Sequence, residues 1–359
     1  MTATPAPGPA RGGLGISTRS VVIGLVVGLP LSAFFLILAM RDLDTQSILD
    51  ALGRAEPVQI AAAVVLMLVV YVLQAERWRR IARHVGTAPR RTFTGLVIGG
   101  VAVNNVIPGR PGEMLRGYWL ARTVRAPVAR SFSTVVVDRG ADVVALVALL
   151  AVSIPFIDRP TWLLSLTIAG VVVAVLIGAG LLVSWWYAHR SARGKARGVE
   201  GAVQRGRIRH HVSGLVRGAA SVVNRRDIFW LALLSVAAWF AWTVACWTVA
   251  HAVGITLNPV EALFVTCVLN LGAAIPSSPG FVGTYQWLSV ASLGLLGVGR
   301  NDAFAFSVLM QAVWFVPTTI IGIALGLFAT ATWRGARRVE SPTLEGNAPV
   351  EPVSPHPGL

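Results

Sequence analysis

Apolar stretches of near-bilayer length alternate with short polar segments along this chain. Ser20–Met40, Pro57–Ala75, Pro160–Ala188, Ile228–Ala250 and Ala303–Trp333 contain no charged residue. About 20 apolar residues cross a bilayer as a helix, so each predicts a spanning helix. A sixth run, Val143–Ile157, extends backwards through Ser131–Val137, interrupted by Asp138, Arg139 and Asp142. The first run is too long for a signal-peptide core and lacks a small-residue cleavage site before Arg41, so it reads as an uncleaved anchor. Residues 1–19 and 336–359, rich in Pro, Gly and Ala, are expected to be disordered. Two stretches fit less simply: Thr92–Gly109 has 18 residues and Ala262–Gly299 has 38.

Composition agrees with a membrane protein: 55% of the 359 residues are hydrophobic and only 13% charged, against about 25% charged in soluble domains. The net charge of +15 is nearly all arginine, because Lys195 is the only lysine. These arginines gather between apolar runs, which favours a membrane surface over nucleic acid as the basic partner. Cys246 and Cys267 lie inside apolar segments and predict neither a disulfide framework nor a metal site. No cofactor is implied.

Arginine placement then sets the topology, because cytoplasmic loops carry the excess. With the N-terminus inside and six runs crossing, Arg77, Arg79, Arg80, Arg83, Arg90 and Arg91 fall in the cytoplasm. So do the ten basic residues of the loop 189–227, and Arg334, Arg337 and Arg338. Only Arg41, Arg54, Arg159 and Arg300 fall outside. A single crossing by Thr92–Gly109 would invert every later loop. That stretch therefore enters and returns on the same side, and by parity so does Ala262–Gly299. The expected fold is all-α and polytopic: six spanning helices plus two re-entrant helical hairpins, within residues 20–335. Both termini are cytoplasmic.

The two hairpins share a skeleton. Pro108-Gly-Arg110-Pro111-Gly112 and Pro276-Ser-Ser-Pro279-Gly280 are both P-x-x-P-G, each followed after six residues by Trp-Leu. Their flanking runs cross in opposite directions, so residues 57–157 and 228–333 form an inverted repeat, the usual sequence pointer to a transporter site. Proline ends the incoming half-helix, and Pro111 or Pro279 suits the first turn of the outgoing one. Each outgoing tip then offers free N–H groups and the positive dipole end, with Gly112 or Gly280 permitting close approach. Arg110 adds a formal charge to this anion pocket. The alternative is a pair of turns joining ordinary short helices.

Charges within the first repeat need similar weighing. Glu113 sits in the first turn of its half-helix, where it stabilises the dipole and can pair with Arg116, or it contacts substrate or a proton. Asp138 and Asp142 share a helix face and Arg139 reaches Asp142. Such charges are costly inside a bilayer and face a cavity or a partner. Arg139 either binds a lipid phosphate or closes a network with Glu113 or Arg116. Asn104, Asn105 and Asn270 are expected to cap carbonyls where the incoming half-helices end. Trp239 and Trp242 are expected to pack.

At these residues the chain resembles the lysylphosphatidylglycerol synthase transmembrane family of flippase-like proteins. The matching pieces are Asn105-x-x-Pro108-Gly-Arg110-x-Gly112-Glu113-x-x-Arg116, then Asp138-Arg139 with Asp142, then Pro276-x-x-Pro279-Gly280-x-x-Gly283. The resemblance implies a domain that moves a phospholipid or a polyprenyl-phosphate-linked sugar between leaflets of the cytoplasmic membrane. A short tail, not a soluble aminoacyl-transferase domain, follows here. Many relatives carry P-G-G-x-G-x-x-E, whereas Phe281 and Gln286 stand at its third and last positions. Two rivals remain: a membrane transferase holding Mg²⁺ on Asp138 and Asp142, and a scaffold for a separate glycosyltransferase. The topology is testable: cysteines placed at positions 125 and 226 should label from the same face with a membrane-impermeant reagent. Labelling from opposite faces would exclude the paired hairpins.

Overall fold

The computed structural model describes residues 18–107, 110–157, 225–273 and 277–339, which hold ten α-helices and no strand. They are α1 (Thr18–Met40), α2 (Thr45–Gly53), α3 (Pro57–Ala82), α4 (Arg90–Val106), α5 (Pro111–Thr123) and α6 (Val128–Ser153), then α7 (Arg225–Ala252), α8 (Pro259–Gly272), α9 (Thr284–Gly294) and α10 (Arg300–Val339). Pro108, Pro276, the run Pro160–Ala188, most of the basic loop and most of both tails lie outside the described residues. Among the described residues three helices are long and apolar enough to cross a membrane: Pro57–Ala82, Asp227–Ala252 and Arg300–Leu327. Helix α6 matches them with 26 residues but carries the buried Asp138 and Asp142.

The ends differ slightly from expectation. Helix α1 already includes Thr18 and Arg19, and α10 continues through residues 336–339 to Val339. Alanine and arginine are good helix formers, so backbone hydrogen bonding outlasts the apolar run. Helix α2 was not foreseen. Asp44 caps it, its carboxylate accepting the N–H groups of Gln46 and Ser47 at 3.2 and 3.1 Å. The Asp44 N–H donates to Asn301 at 3.1 Å and Arg300 donates to the Leu38 carbonyl at 3.0 Å, pinning this segment to the start of α10.

Helices α3 and α7 run antiparallel. Arg83 meets Asp227 at 3.5 Å, the Arg80 guanidinium lies 4.3 Å from the centre of the Trp230 ring, and Arg77 reaches Ser235 at 3.0 Å. Around this pair the contacts occur in matched sets. Helix α4 packs on α5 and α10, as α8 packs on α9 and α6. Helix α5 packs on α6 as α9 packs on α10, and α3 on α4 as α7 on α8.

Within the first hairpin, α5 folds back along α4, with Gly100 opposite Arg116 and Asn104 opposite Gly112. The approach is at backbone distance: a Cβ on Gly112 would overlap the Gly100 carbonyl oxygen and crowd Asn104 Oδ1. Small residues at such crossings let helices touch directly. Helix α10 contains Pro317. There the hydroxyls of Thr318 and Thr319 donate to the Trp314 and Phe315 carbonyls, each at 2.6 Å, and accept from Asn105 of α4 at 3.3 and 2.8 Å. These are side-chain bonds to the carbonyls four residues back, and they leave each hydroxyl oxygen free to accept from Asn105, which binds α4 to α10. Gly112→Ala is therefore expected to cost at least about 1–3 kcal/mol by overpacking. Gly99→Ala, whose Cβ would meet nothing within 4 Å, should melt at or above the wild-type temperature in the same detergent.

Candidate functional site

One residue missed as chemistry organises the site. Arg77 is completely buried, although its position suggested a cytoplasmic charge. It forms ion pairs with Asp138 at 2.9 Å and Asp142 at 2.7 Å, and donates to the Ser235 hydroxyl at 3.0 Å. The sequence did hold a signal. Met67, Val70, Tyr71, Gln74, Trp78 and Ile81 form the buried stripe of α3 at helical spacing, and Arg77 falls on that stripe.

Asp138 is the node. Its carboxylate receives Arg77, Arg116 at 3.0 Å and Arg139 at 3.4 Å, with no exposed surface of its own. Arg139 also reaches Asp142 at 3.4 Å, as the helical spacing predicted. The expected Glu113–Arg116 pairing gives way to Arg116–Asp138, because α5 lies against α6. The Arg116 guanidinium also sits 4.3 Å from the centre of the Trp78 ring, and the Trp78 indole N–H is fixed on the Thr134 hydroxyl at 2.9 Å. Glu113 instead accepts from Asn104 at 3.1 Å, and the same Asn104 side chain accepts the Gly112 N–H at 2.7 Å. Asn104 and Asn105 are thus structural, but they bind a neighbouring segment and not helix-end carbonyls. Asn270 donates to the Thr266 carbonyl one turn back, inside α8 and not at its end.

Beside this network lies a cavity of 460 Å³, bordered by Arg110, Glu113, Arg116, Arg139 and Asp142 on one side. Its other wall is aromatic: Trp239, Trp242, Tyr285, Phe281 and Trp314. Trp239 and Trp242 therefore line the cavity and do not merely pack. Their signal was the recurrence of large aromatics one helical turn apart on an otherwise small-residue face. The two hairpin breaks meet at its rim, where the Arg110 guanidinium lies 4.8 Å from the centre of the Phe281 ring. Arg110 holds a left-handed backbone conformation, φ 54° and ψ 49°, as the N-cap of α5. This conformation costs a non-glycine residue about 1–2 kcal/mol.

The helix-tip anion pocket does not form as expected. Pro111 does open α5, but the Gly112 N–H is occupied by Asn104, and Gly112 touches backbone where a ligand was expected. In the second copy Pro279 and Gly280 belong to a separate 3-10 turn, Pro279–Phe281, and α9 starts only at Thr284. The Gly283 N–H donates to Gln286 at 2.6 Å, Gln286 donates to Gln311, and Gln311 donates to the Gly280 carbonyl at 2.6 Å. A Cβ on Gly283, at φ 92°, would overlap the Ser32 carbonyl of α1. Pro279, Gly280 and Gly283 thus shape the loop behind the cavity, while Phe281 faces it. Electropositive character comes from side chains instead. Five buried N–H donors of residues that border the cavity, Arg116 Nε, Arg139 Nε, Trp239 Nε1, Trp242 Nε1 and Trp314 Nε1, have no hydrogen-bond acceptor among the described residues.

Asp138 and Asp142, the pair a transferase would need for Mg²⁺, are both held by arginine. Among the described residues no group of three His, Cys, Asp or Glu side chains could hold a metal ion. Asp138→Asn should cost about 3–5 kcal/mol, the loss expected when a buried ion pair is broken. Arg139→Ala, whose side chain is 42% exposed, should cost much less. Thermal unfolding in detergent would separate the two, and equal losses would mean that Asp138 is not the node.

A family model described as Lysylphosphatidylglycerol synthase TM region matches residues 21–322. A UPF0104 membrane protein of Methanothermobacter thermautotrophicus is 26% identical over 324 residues, covering 85% of this chain and 93% of the relative. A protein of Haloferax volcanii named glycosyltransferase AglD is 27% identical over 343 residues, 85% of this chain but 54% of that protein. UPF0104 membrane protein MJ1595 of Methanocaldococcus jannaschii is 20% identical over 320 residues, 85% of this chain and 93% of the relative.

Proposed function

The chain belongs to the lysylphosphatidylglycerol synthase transmembrane family, and from that premise we propose a lipid translocase of the cytoplasmic membrane. It moves an anionic phospholipid or a polyprenyl-phosphate-linked sugar between leaflets. The observation that carries this reading is the cavity where two helix breaks meet, with arginine Nε donors that find no acceptor among the described residues. An arginine with a free N–H inside apolar protein is suited to a phosphate oxygen. Arg110, Arg116 and Arg139 are the phosphate contacts, and Glu113, Asp138 and Asp142 orient them.

The matched helix contacts around the antiparallel α3–α7 pair support an inverted repeat of residues 57–157 and 228–333. In it, α4–α5 and α8–α9 are the re-entrant hairpins among six spanning helices. Both termini face the cytoplasm. Rocking of one repeat against the other exposes the headgroup to each leaflet in turn, while the acyl or prenyl tails remain in lipid.

A second reading draws on the Haloferax relative, because the match covers only about half of a protein named a glycosyltransferase. A domain of this kind then supplies or positions the lipid-linked substrate for a glycosyltransferase. Co-purification with such an enzyme, without lipid movement by the chain alone, would favour it.

Proteoliposomes carrying fluorescent phosphatidylglycerol or polyprenyl-phosphate analogues test the translocase directly by dithionite quenching. Protein-dependent quenching of the inner-leaflet pool is expected. Arg139→Ala should slow it about tenfold, the loss of one charge-assisted hydrogen bond. Arg110→Gly is more pointed: it relieves the left-handed backbone, so the melting temperature should hold or rise while the rate falls. Wild-type rates in both variants would remove these arginines from the site.

A further inference from the structure

The cavity wall divides by chemistry. On one side stand guanidinium groups, on the other an aromatic surface built mostly from the second repeat. Trp239 and Trp242 pack with ring centres 5.8 Å apart and planes inclined at 46°. Trp314 lies 6.3 Å from Phe281 and 6.0 Å from Tyr285, so the aromatic surface is continuous up to the Arg110–Phe281 contact. A cavity of 460 Å³ is at the modest end of small-molecule sites, about 300–1,000 Å³. It accommodates a headgroup and not a lipid.

An aromatic wall alone would suit either a sugar ring or a cationic amine. The unpartnered atoms decide between them. Trp239 Nε1 and Trp242 Nε1 are buried donors without an acceptor among the described residues. An ammonium group brings only further donors, whereas hydroxyl oxygens accept. The cavity's carboxylates are already countered by charge: Asp142, although neither of its oxygens completes a hydrogen bond, is ion-paired with Arg77 at 2.7 Å and Arg139 at 3.4 Å, and Glu113 accepts from Asn104. Buried donors are costly to leave unsatisfied, so a ligand that supplies acceptors gains selectivity.

We propose that this cavity selects a phosphate ester bearing a polyhydroxylated headgroup, with the phosphate on Arg116 and Arg139 and headgroup hydroxyls on Trp239 and Trp242. The inference rests on the translocase reading for the identity of the site, but it concerns equilibrium binding and needs no leaflet movement. A glycerophospholipid with a polyol headgroup and a glycosyl phosphoprenol share this chemistry and differ in their tails.

The experiment measures tryptophan fluorescence of the full chain in nanodiscs of neutral lipid, titrated with four short-chain probes. These are dihexanoyl phosphatidylinositol, citronellyl phosphoryl mannose, dihexanoyl phosphatidylmethanol and dihexanoyl phosphatidylethanolamine. Phosphatidylmethanol carries the same phosphodiester without hydroxyls, so it isolates the phosphate contribution. At least one polyhydroxylated probe should bind about tenfold tighter than phosphatidylmethanol, the worth of one or two hydrogen bonds, with phosphatidylethanolamine weakest. Whichever of the two binds tighter distinguishes the glycerophospholipid source from the glycosyl phosphoprenol. Trp239→Phe keeps the ring and removes the N–H. It should cut the hydroxyl preference several-fold and leave phosphatidylmethanol affinity unchanged, whereas Arg139→Ala should weaken all anionic probes alike. Equal affinities for phosphatidylmethanol and both polyhydroxylated probes, or strongest binding of phosphatidylethanolamine, would overturn the proposal, with no reference to any variant. Selective binding without lipid movement would instead count against the translocase alone, and movement without selectivity against this inference alone.

Discussion

One carboxylate surrounded by three guanidinium groups holds the functional half of this protein together. Asp138 draws Arg77 from α3, Arg116 from α5 and Arg139 from its own helix to a single point, and Ser235 of α7 takes a further Arg77 proton. Charged groups in apolar surroundings are stable only as satisfied networks, and removing one member leaves the others uncompensated. The geometry has a second consequence. Because Asp138 occupies one edge of Arg116 and Arg139, their remaining N–H groups point elsewhere. The ion network therefore fixes where the cavity's positive charge resides. Arg77, with its side chain fully enclosed, is an anchor, and Arg139, with its side chain partly exposed, is the arginine best placed to exchange a carboxylate for a ligand.

The two P-x-x-P-G segments differ in how they close around this arrangement. In the first, the helix break is lined with charge: Arg110, Glu113 and Arg116. In the second, a neutral chain of Gln286 and Gln311 closes the corresponding loop between the Gly283 N–H and the Gly280 carbonyl. A carboxylate at position 286 could still accept from Gly283, but it could not donate to Gln311. The neutral side chain is thus what this loop uses to satisfy its own backbone, and Phe281 faces the cavity beside it. A cationic wall on one side and an aromatic wall on the other set two different chemistries across one cavity.

Much of this was legible in the residues. Arginine counting predicts hairpins that return on themselves, and the packing of α5 back along α4 is compatible with the first of them. Arg110, Glu113, Arg116, Arg139 and Asp142 were identified by being polar where apolar sequence was expected, and all five border one cavity. What the pattern could not give was partner choice. Arg116 sits three residues from Glu113, yet packing of α5 on α6 offers it Asp138, and local spacing is blind to that. Arg77 was assigned to the surface because charge near a helix end usually is solvated; only its register with Tyr71, Gln74 and Trp78 marks it as internal. The helix tips were misjudged for a related reason. Proline and glycine identify a break, but they do not say which side chain satisfies the N–H groups it frees, and here Asn104 and Gln286 do so.

Alternating access requires that the cavity open to both faces of the membrane. Val101 borders it and is half-buried, while both native cysteines, Cys246 and Cys267, are buried. The most direct measurement is modification of a Val101→Cys variant, in a background lacking the native cysteines, by a membrane-impermeant thiol reagent added to one side of oriented proteoliposomes at a time. Labelling from either side, slowed from both by a bound anionic headgroup, is the predicted result. Labelling confined to one side under every lipid composition would contradict alternating access and leave a one-sided binding site in its place.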